Sequence, residues 1–177
     1  LIADLGKVSF IKKGVISVKK VNLELNIAKI IKAFSFYPRF GEIKISVDNQ
    51  CVTDFYTDKS LLNTILQNLI ENSIKYAQHI EHGSKPYLKI TCFDTSTGIT
   101  IYIEDNGIGI PQDVQHKIFD MFYRANTTAK GSGLGLYIVQ NAVKKLGGSI
   151  TIDSKIGEGT TFCLTLPSHE NLFGIQN

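Results

Sequence analysis

The sequence predicts an α/β (α+β) two-layer sandwich: a mixed, mostly antiparallel sheet, covered on one face by about three helices, with a mobile lid beside it. Two observations carry this. Strand-like and helix-like patterns alternate along the chain without forming a regular βαβ series. Several strand pairs are also separated by only a few turn-forming residues, as hairpins are.

Taken in order, residues 1–10 (LIADLGKVSF) read as the end of a preceding helix plus a linker, and 14–23 as a short strand. Residues 22–36 have the periodicity of an amphipathic helix. EIKISVD (42–48) and CVTDFYTD (51–58) are two alternating strands around the turn signal Asn49-Gln50. The longest helical pattern runs from Asp58, a good N-cap, to Ala77. A loop over 79–86 leads to strands at 87–94 and 98–105, and a short helix is expected over 112–124. Residues 133–148 form a clean helix stopped by a Gly pair, and 149–167 close as a second hairpin.

The 177 residues suit one domain with room for a short appendage and are enough to bury a core, and 43% hydrophobic with 20% charged residues is ordinary for a globular protein. The net charge of +3 comes from scattered Lys and Arg without a basic stripe, so nucleic acid is not an expected partner. Cys51, Cys92 and Cys163 are far apart, fall in strand-like segments and have no CxxC or CxxH spacing; buried free thiols are expected. No apolar run approaches the ~20 residues that span a bilayer, so no direct membrane contact is expected. The chain begins with Leu, and is expected to be a fragment of something longer.

The stretch NLIENSIKYA (68–77) sets two amides, an ammonium and a phenol on one side of an otherwise apolar helix. Burying such groups costs free energy unless something satisfies them. A buried Asn72 could simply fix packing; with Asn68 and Lys75 on the same side, the group suits a polyanion carrying a hard cation. ITIYIEDNGIGI runs an alternating strand into Asp105, Gly107 and Gly109, which puts an acceptor at a pocket rim where bare backbone can approach a ligand. An ordinary Asx turn is the equal alternative for that motif alone. GSGLGLYIV is neither a P-loop nor a dinucleotide fingerprint, but it opens a helix whose free N–H groups would cradle phosphates. In IFDMFYRAN, Ile118, Phe119 and Phe122 could tether a lid and leave Arg124 to reach a phosphate; GEGTTF (157–162) reads as a hairpin turn.

The order of these motifs resembles the catalytic, ATP-binding domain of sensor histidine kinases, in the Bergerat-fold superfamily of gyrase, heat-shock chaperones, histidine kinases and MutL. NLIENSIKYA is similar to that family's N box, DNGIGI to its G1 box, IFDMFYR to its F box, GSGLGL to its G2 box and GEGTTF to its G3 turn. The resemblance covers roughly residues 15–167. It implies Mg²⁺ and ATP as cofactors, with Asn72 the metal ligand, Asn68 and Lys75 on the phosphates and Tyr76 beside the nucleotide. Asp105 would accept from the adenine amine, in a pocket shaped by Gly107, Gly109 and Ile110 with Thr160 nearby. Arg124 would face the phosphates from the ATP lid, and Gly131, Ser132, Gly133, Leu134, Gly135 and Leu136 would line the phosphate turn. Asn68, Asn72, Lys75 and Arg124 are then the residues nearest the chemistry.

The hydrolytic ATPases of this superfamily carry a Glu one turn before the magnesium Asn, where this chain has Asn68, which cannot take a proton. Glu71 lies about 100° around the helix from Asn72 and is expected to point elsewhere. The resemblance therefore implies transfer of the γ-phosphate to a His on an upstream dimerisation domain, with 1–14 its remnant helix and linker, 15–167 the catalytic domain and 168–177 a tail. His169 follows Pro167 on the wrong side of the domain to be that acceptor, and His79, His82 and His116 are expected to be solvated. The implied partners are the chain's own dimerisation and acceptor domain, in a homodimer, and the receiver domain of a response regulator. The implied setting is the cytoplasmic part of a membrane-anchored sensor. A degenerate nucleotide-binding or interaction module, or a slow ATPase, is the alternative.

Overall fold

The computed structural model describes residues 2–77, 85–125 and 132–173. The elements are α1 (Ile2–Lys13), β1 (Val18–Lys20), α2 (Leu23–Ala33), β2 (Lys44–Asn49), β3 (Tyr56–Asp58), α3 (Lys59–Ala77), β4 (Tyr87–Thr95), β5 (Gly98–Asp105), α4 (Gly135–Lys145), β6 (Ser149–Lys155), β7 (Gly159–Pro167) and α5 (Glu170–Phe173). Five strands form one sheet in the order β2-β4-β5-β7-β6, parallel only between β2 and β4; β1 and β3 pair separately. The mixed, mostly antiparallel sheet with helices on one face is the architecture expected from the sequence.

Alternation decides which face is covered. Ile99, Ile101 and Ile103 of β5 point inward with Leu88, Ile90 and Cys92 of β4 and Phe162, Leu164 and Leu166 of β7, and all are buried. On the opposite face Phe93 and Tyr102 stack with ring centroids 5.6 Å apart, half in solvent. The inward face receives α3, in which Leu62, Ile65, Leu66, Leu69, Ile70 and Ile74 are each 0% exposed. Each such side chain contributes on the order of 2 kcal/mol of transfer free energy. Both sides of α3 are flanked, by α2 and by α4, and α1 lies against α4. Lys145 of α4 fixes that last contact by donating to the carbonyl oxygens of Ile11 and Gly14 at the end of α1.

Asp58 caps α3 as expected: its Oδ1 accepts from Ser60 N (2.9 Å) and Leu61 N (3.0 Å). Its Oδ2 accepts from Ser17 N at 2.8 Å, so one carboxylate ties the approach to β1 to the start of α3. At the other terminus, His169 N donates to Tyr56 O (2.7 Å) and Ser168 N to Thr97 O (2.8 Å). The His169 ring donates from Nε2 to Leu146 O at the end of α4, 3.0 Å away, which is a packing role.

Several expectations are corrected. The strands expected at 42–48 and 51–58 do not flank a hairpin: β2 lies parallel to β4, and only Tyr56–Asp58 of the second pairs, with β1. Asp94 is the physical reason, because its Oδ2 takes the Val52 (2.8 Å) and Thr53 (3.2 Å) amides and its Oδ1 the Thr53 hydroxyl, so 51–55 loops out. Cys51 is therefore in a loop, not a strand. The helix expected over 112–124 is a 3₁₀ turn, Gln112–Lys117, and the chain then turns through Phe122 in the left-handed region (φ 66°). From Ile2 on, residues expected to hold a helix end and a linker are all helical, in a helix that runs to Lys13, so any linker begins after that residue. Most of the expected 79–86 loop, with His79 and His82, lies outside the described residues.

Replacing Asp58 by Ala removes the α3 cap and the tie to Ser17 together. We expect a loss of about 1–2 kcal/mol in urea unfolding with an unchanged m-value, and a smaller loss for Asp58→Asn.

Candidate functional site

The last two turns of α3, the loop after β5 and the start of α4 enclose a cleft of about 650 Å³. Its floor is Asp105, the last residue of β5, carried inward by the same alternation that buries Ile101 and Ile103 and only 5% exposed. Burial pushes its carboxyl above the ordinary range; the Gly107 amide, 2.9 Å from Oδ1, the Ser73 hydroxyl and the Thr160 backbone oppose this. Ser73 faces the carboxylate from α3, buried and without a well-formed hydrogen bond of its own. Asp105 and Thr160 are direct partners in the β5–β7 register.

Gly107 does not line the cleft. A Cβ there would stand 2.9 Å from the backbone C and O of Tyr76, so its bare backbone lets the loop close on α3. Gly109 does line it, at φ 69°, pressed against Lys155 O. Ile110 also lines the cleft, and both its backbone groups are engaged: N–H by Ser154 Oγ (2.8 Å) and C=O by Gln115 Nε2 (2.9 Å).

The lining is polar as well as apolar. Asn68, Asn72, Lys75 and Tyr76 of α3 all reach the cleft, as does Arg124. Asn68 donates from Nδ2 to Thr64 O (2.7 Å), and its Oδ1 would be 3.0 Å from a Cβ on Gly135, the first residue of α4. Among the described residues the Asn72 carboxamide makes no hydrogen bond. Burial lowers the Lys75 pKa, which nearby Glu71 raises and Arg124 lowers further; the ammonium stands 5.2 Å from the centre of the Tyr76 ring. Ser132, Gly133, Gly135 and Leu136 line the turn into α4, while Leu134 is fully buried in the core and anchors that turn instead. Gly131 lies outside the described residues.

Three features were missed from the sequence. Glu71 does line the cleft, contrary to expectation; Tyr37, just beyond α2, donates its hydroxyl to Glu71 Oε1. Burial and that bond push the Tyr37 phenol up to about 12. Asp4 of α1 also lines the cleft, and nothing in a lone acid on a weakly patterned helix signals it. Ser154 does not touch the cleft but holds both Ile110 and Thr160, and a serine on an edge strand gives no sign of that.

Chemically, the lining is of two kinds. Asp105 and Thr160 offer oxygen acceptors beside apolar residues, which suits a flat ring bearing N–H donors. Lys75, Arg124, Asn68, Asn72 and the N-terminus of α4 suit an anion. No group of three His, Cys, Asp or Glu among the described residues could hold a metal alone, so a cation here would share ligands with that anion.

The family model for histidine kinase-, DNA gyrase B- and HSP90-like ATPases matches residues 57–170. The sensor protein SrrB of Staphylococcus aureus (strain MRSA252) is 35% identical over 127 residues, which is 69% of this chain and 21% of that protein. The chain thus spans about a fifth of the length of the curated relatives it matches. Among solved structures, full-length ShkA in complex with AMPPNP superposes with a TM-score of 0.79 at 22% identity, over 94% of this chain and 35% of that one. The catalytic domain of the histidine kinase ThkA superposes with a TM-score of 0.72 at 25% identity, over 86% of this chain and 98% of that one.

The raised pKa of Asp105 has a signed consequence. Its ionised form is favoured in the unfolded chain, so stability falls as pH rises from the ordinary carboxylate range toward the folded value. We expect Asp105→Asn to raise the melting temperature at pH 7 and to leave it nearly unchanged at pH 3, where both carboxyl states are protonated.

Proposed function

The chain belongs to the histidine kinase-, DNA gyrase B- and HSP90-like ATPase family, as an ATP-binding catalytic domain of the histidine kinase kind, and from that premise we propose that it binds Mg-ATP and delivers the γ-phosphate to a histidine on an upstream dimerisation domain. The observation that carries this reading is one cleft lined both by a buried acceptor, Asp105, and by Asn72, Lys75 and Arg124.

In this reading Asp105 accepts from the adenine amine, with Gly109, Ile110 and Thr160 as the walls and Gly107 closing the loop behind them. Lys75 and Arg124 neutralise phosphate charge, Tyr76 borders the nucleotide, and Asn68 meets the phosphates through its second N–H. The turn over 131–136 and the N-terminus of α4 receive the remaining phosphate oxygens. The donor set fits a hard cation: the Asn72 amide oxygen is one ligand, and phosphates and water complete the shell. Bound there, Mg²⁺ would offset charge on the transferred group. What the protein does is hold the γ-phosphate in place and surround it with positive charge.

Hydrolysis is disfavoured by the same residues. Asn68 carries no base, and its amide is spent partly on Thr64 O. Glu71 lines the cleft, but its carboxylate already accepts the Tyr37 hydroxyl. We take residues 15–167 as the catalytic domain, 1–14 as the end of the dimerisation helix with its linker, and 168–177 as the tail. The partners proposed are the acceptor domain of a homodimeric parent and a receiver domain, and the parent is proposed to be a membrane-anchored sensor with this part on the cytoplasmic side. None of the described helices is long and apolar enough to cross a membrane.

Two calorimetric titrations test the reading. Asn72→Ala is expected to remove the Mg²⁺ dependence of ATP binding, and with it autophosphorylation in the parent protein; retained autophosphorylation would reject the metal role. Asp105→Asn is expected to weaken ATP by about tenfold or more, the size of one lost charge-assisted hydrogen bond, and equal affinity would reject the adenine role.

A further inference from the structure

Asp105, Thr160 and Ser154 form one row across three strands, since Thr160 is the register partner of Asp105 on β5 and of Ser154 on β6. Side chains so paired stand on the same face, about 5 Å apart. Ser154 Oγ makes three contacts: Ile110 N at 2.8 Å, Gly159 O at 2.9 Å and Thr160 Oγ1 at 2.8 Å.

A serine hydroxyl has one proton and two lone pairs. A carbonyl oxygen can only accept, so the contact to Gly159 uses the Ser154 proton. An amide N–H can only donate, so the contact to Ile110 uses one lone pair. The remaining contact uses the other lone pair, and the proton in it must come from Thr160. We propose that Ser154 is a positioning residue that sets base selectivity: it takes the Thr160 proton, so that Thr160 meets a ligand as an acceptor only.

The inference rests on the adenine reading of the cleft. With Asp105 and Thr160 both accepting, the floor matches an exocyclic amine, which brings N–H donors. A purine with a carbonyl at that position would set oxygen against two acceptors and leave them unpaired, which is how a buried polar site rejects the wrong ligand. The selectivity thus depends on a residue outside the cleft. Gln115 stiffens the arrangement, donating to both Ile110 O (2.9 Å) and Ser154 O (2.7 Å).

The test is calorimetric titration of this chain with Mg-ATP and with Mg-ITP, whose base carries a carbonyl in place of the amine. Ser154→Ala frees the Thr160 hydroxyl to donate, and the ratio Kd(ITP)/Kd(ATP) is expected to fall about five- to tenfold, the effect of one hydrogen bond. Ser154→Thr, which keeps the hydroxyl, is expected to keep the wild-type ratio. Thr160→Val removes the opposing oxygen and is expected to lower the ratio, and adding Ser154→Ala to it should change nothing more. An unchanged ratio in Ser154→Ala, or a further fall in the double variant, overturns the inference. So does a ratio that rises in Thr160→Val, as it would if Thr160 donated; that sign decides the matter even if Ser154→Ala does not fold. Failure of the wild-type chain to bind ATP would overturn the adenine reading and this inference with it, whereas ATP binding with unmoved ratios overturns this inference alone.

Discussion

The cleft depends on how α3 is seated. One side of this helix is fully buried against β4, β5 and β7, so its rotation about its own axis is fixed by apolar packing alone. Once that rotation is fixed, Asn68, Asn72, Lys75 and Tyr76 are carried to the cleft, Asn68 with a further tie to Thr64 O. The seat is set at both ends: Asp58 caps the first turn, and Gly107 lets the loop after β5 close to van der Waals distance on Tyr76. A core in contact with a polar rim in this way converts packing precision into positional precision for the amides.

The charges of the cleft show what the fold tolerates. Lys75 is held below the ordinary lysine range and Asp105 above the ordinary carboxylate range, both chiefly through burial. Each would be relieved by an opposite or hydrogen-bonding ligand group, and the two line the same cavity. Sites that keep such groups give up some stability of the unliganded fold in exchange for ligand binding.

Most of this was legible in the sequence wherever the signal was local. The Asp58 cap, the apolar arc of α3 and the strand leading into Asp105 are written in spacings of two to four residues, and all are present. What could not be read were contacts made across the fold. The parallel placement of β2 depends on β4, nearly 40 residues later, and on Asp94 drawing away the segment that looked like a hairpin partner. The direction of Glu71 depends on Tyr37, and a helical wheel, which knows only the helix, turned it the wrong way. Asp4 enters because α1 packs on α4, through Lys145, a residue whose sequence neighbours give no hint of it.

The β5–β7 pairing has a last consequence, in the entropy of the chain between the two strands. Asp105 and Thr160 are adjacent in the sheet, yet the connection between them includes the 3₁₀ turn, the approach to α4, α4 itself and β6. The stretch from Asp105 to Gly135 has both ends fixed, one in the sheet and one at the head of a buried helix. Closing that stretch is cheap in entropy, about 0.6 kcal/mol for each doubling of length. It also brings Gly109, Ile110, Arg124, Ser132 and Gly133 to the cleft, so its length is constrained by the lining and not by the cost of closing the loop.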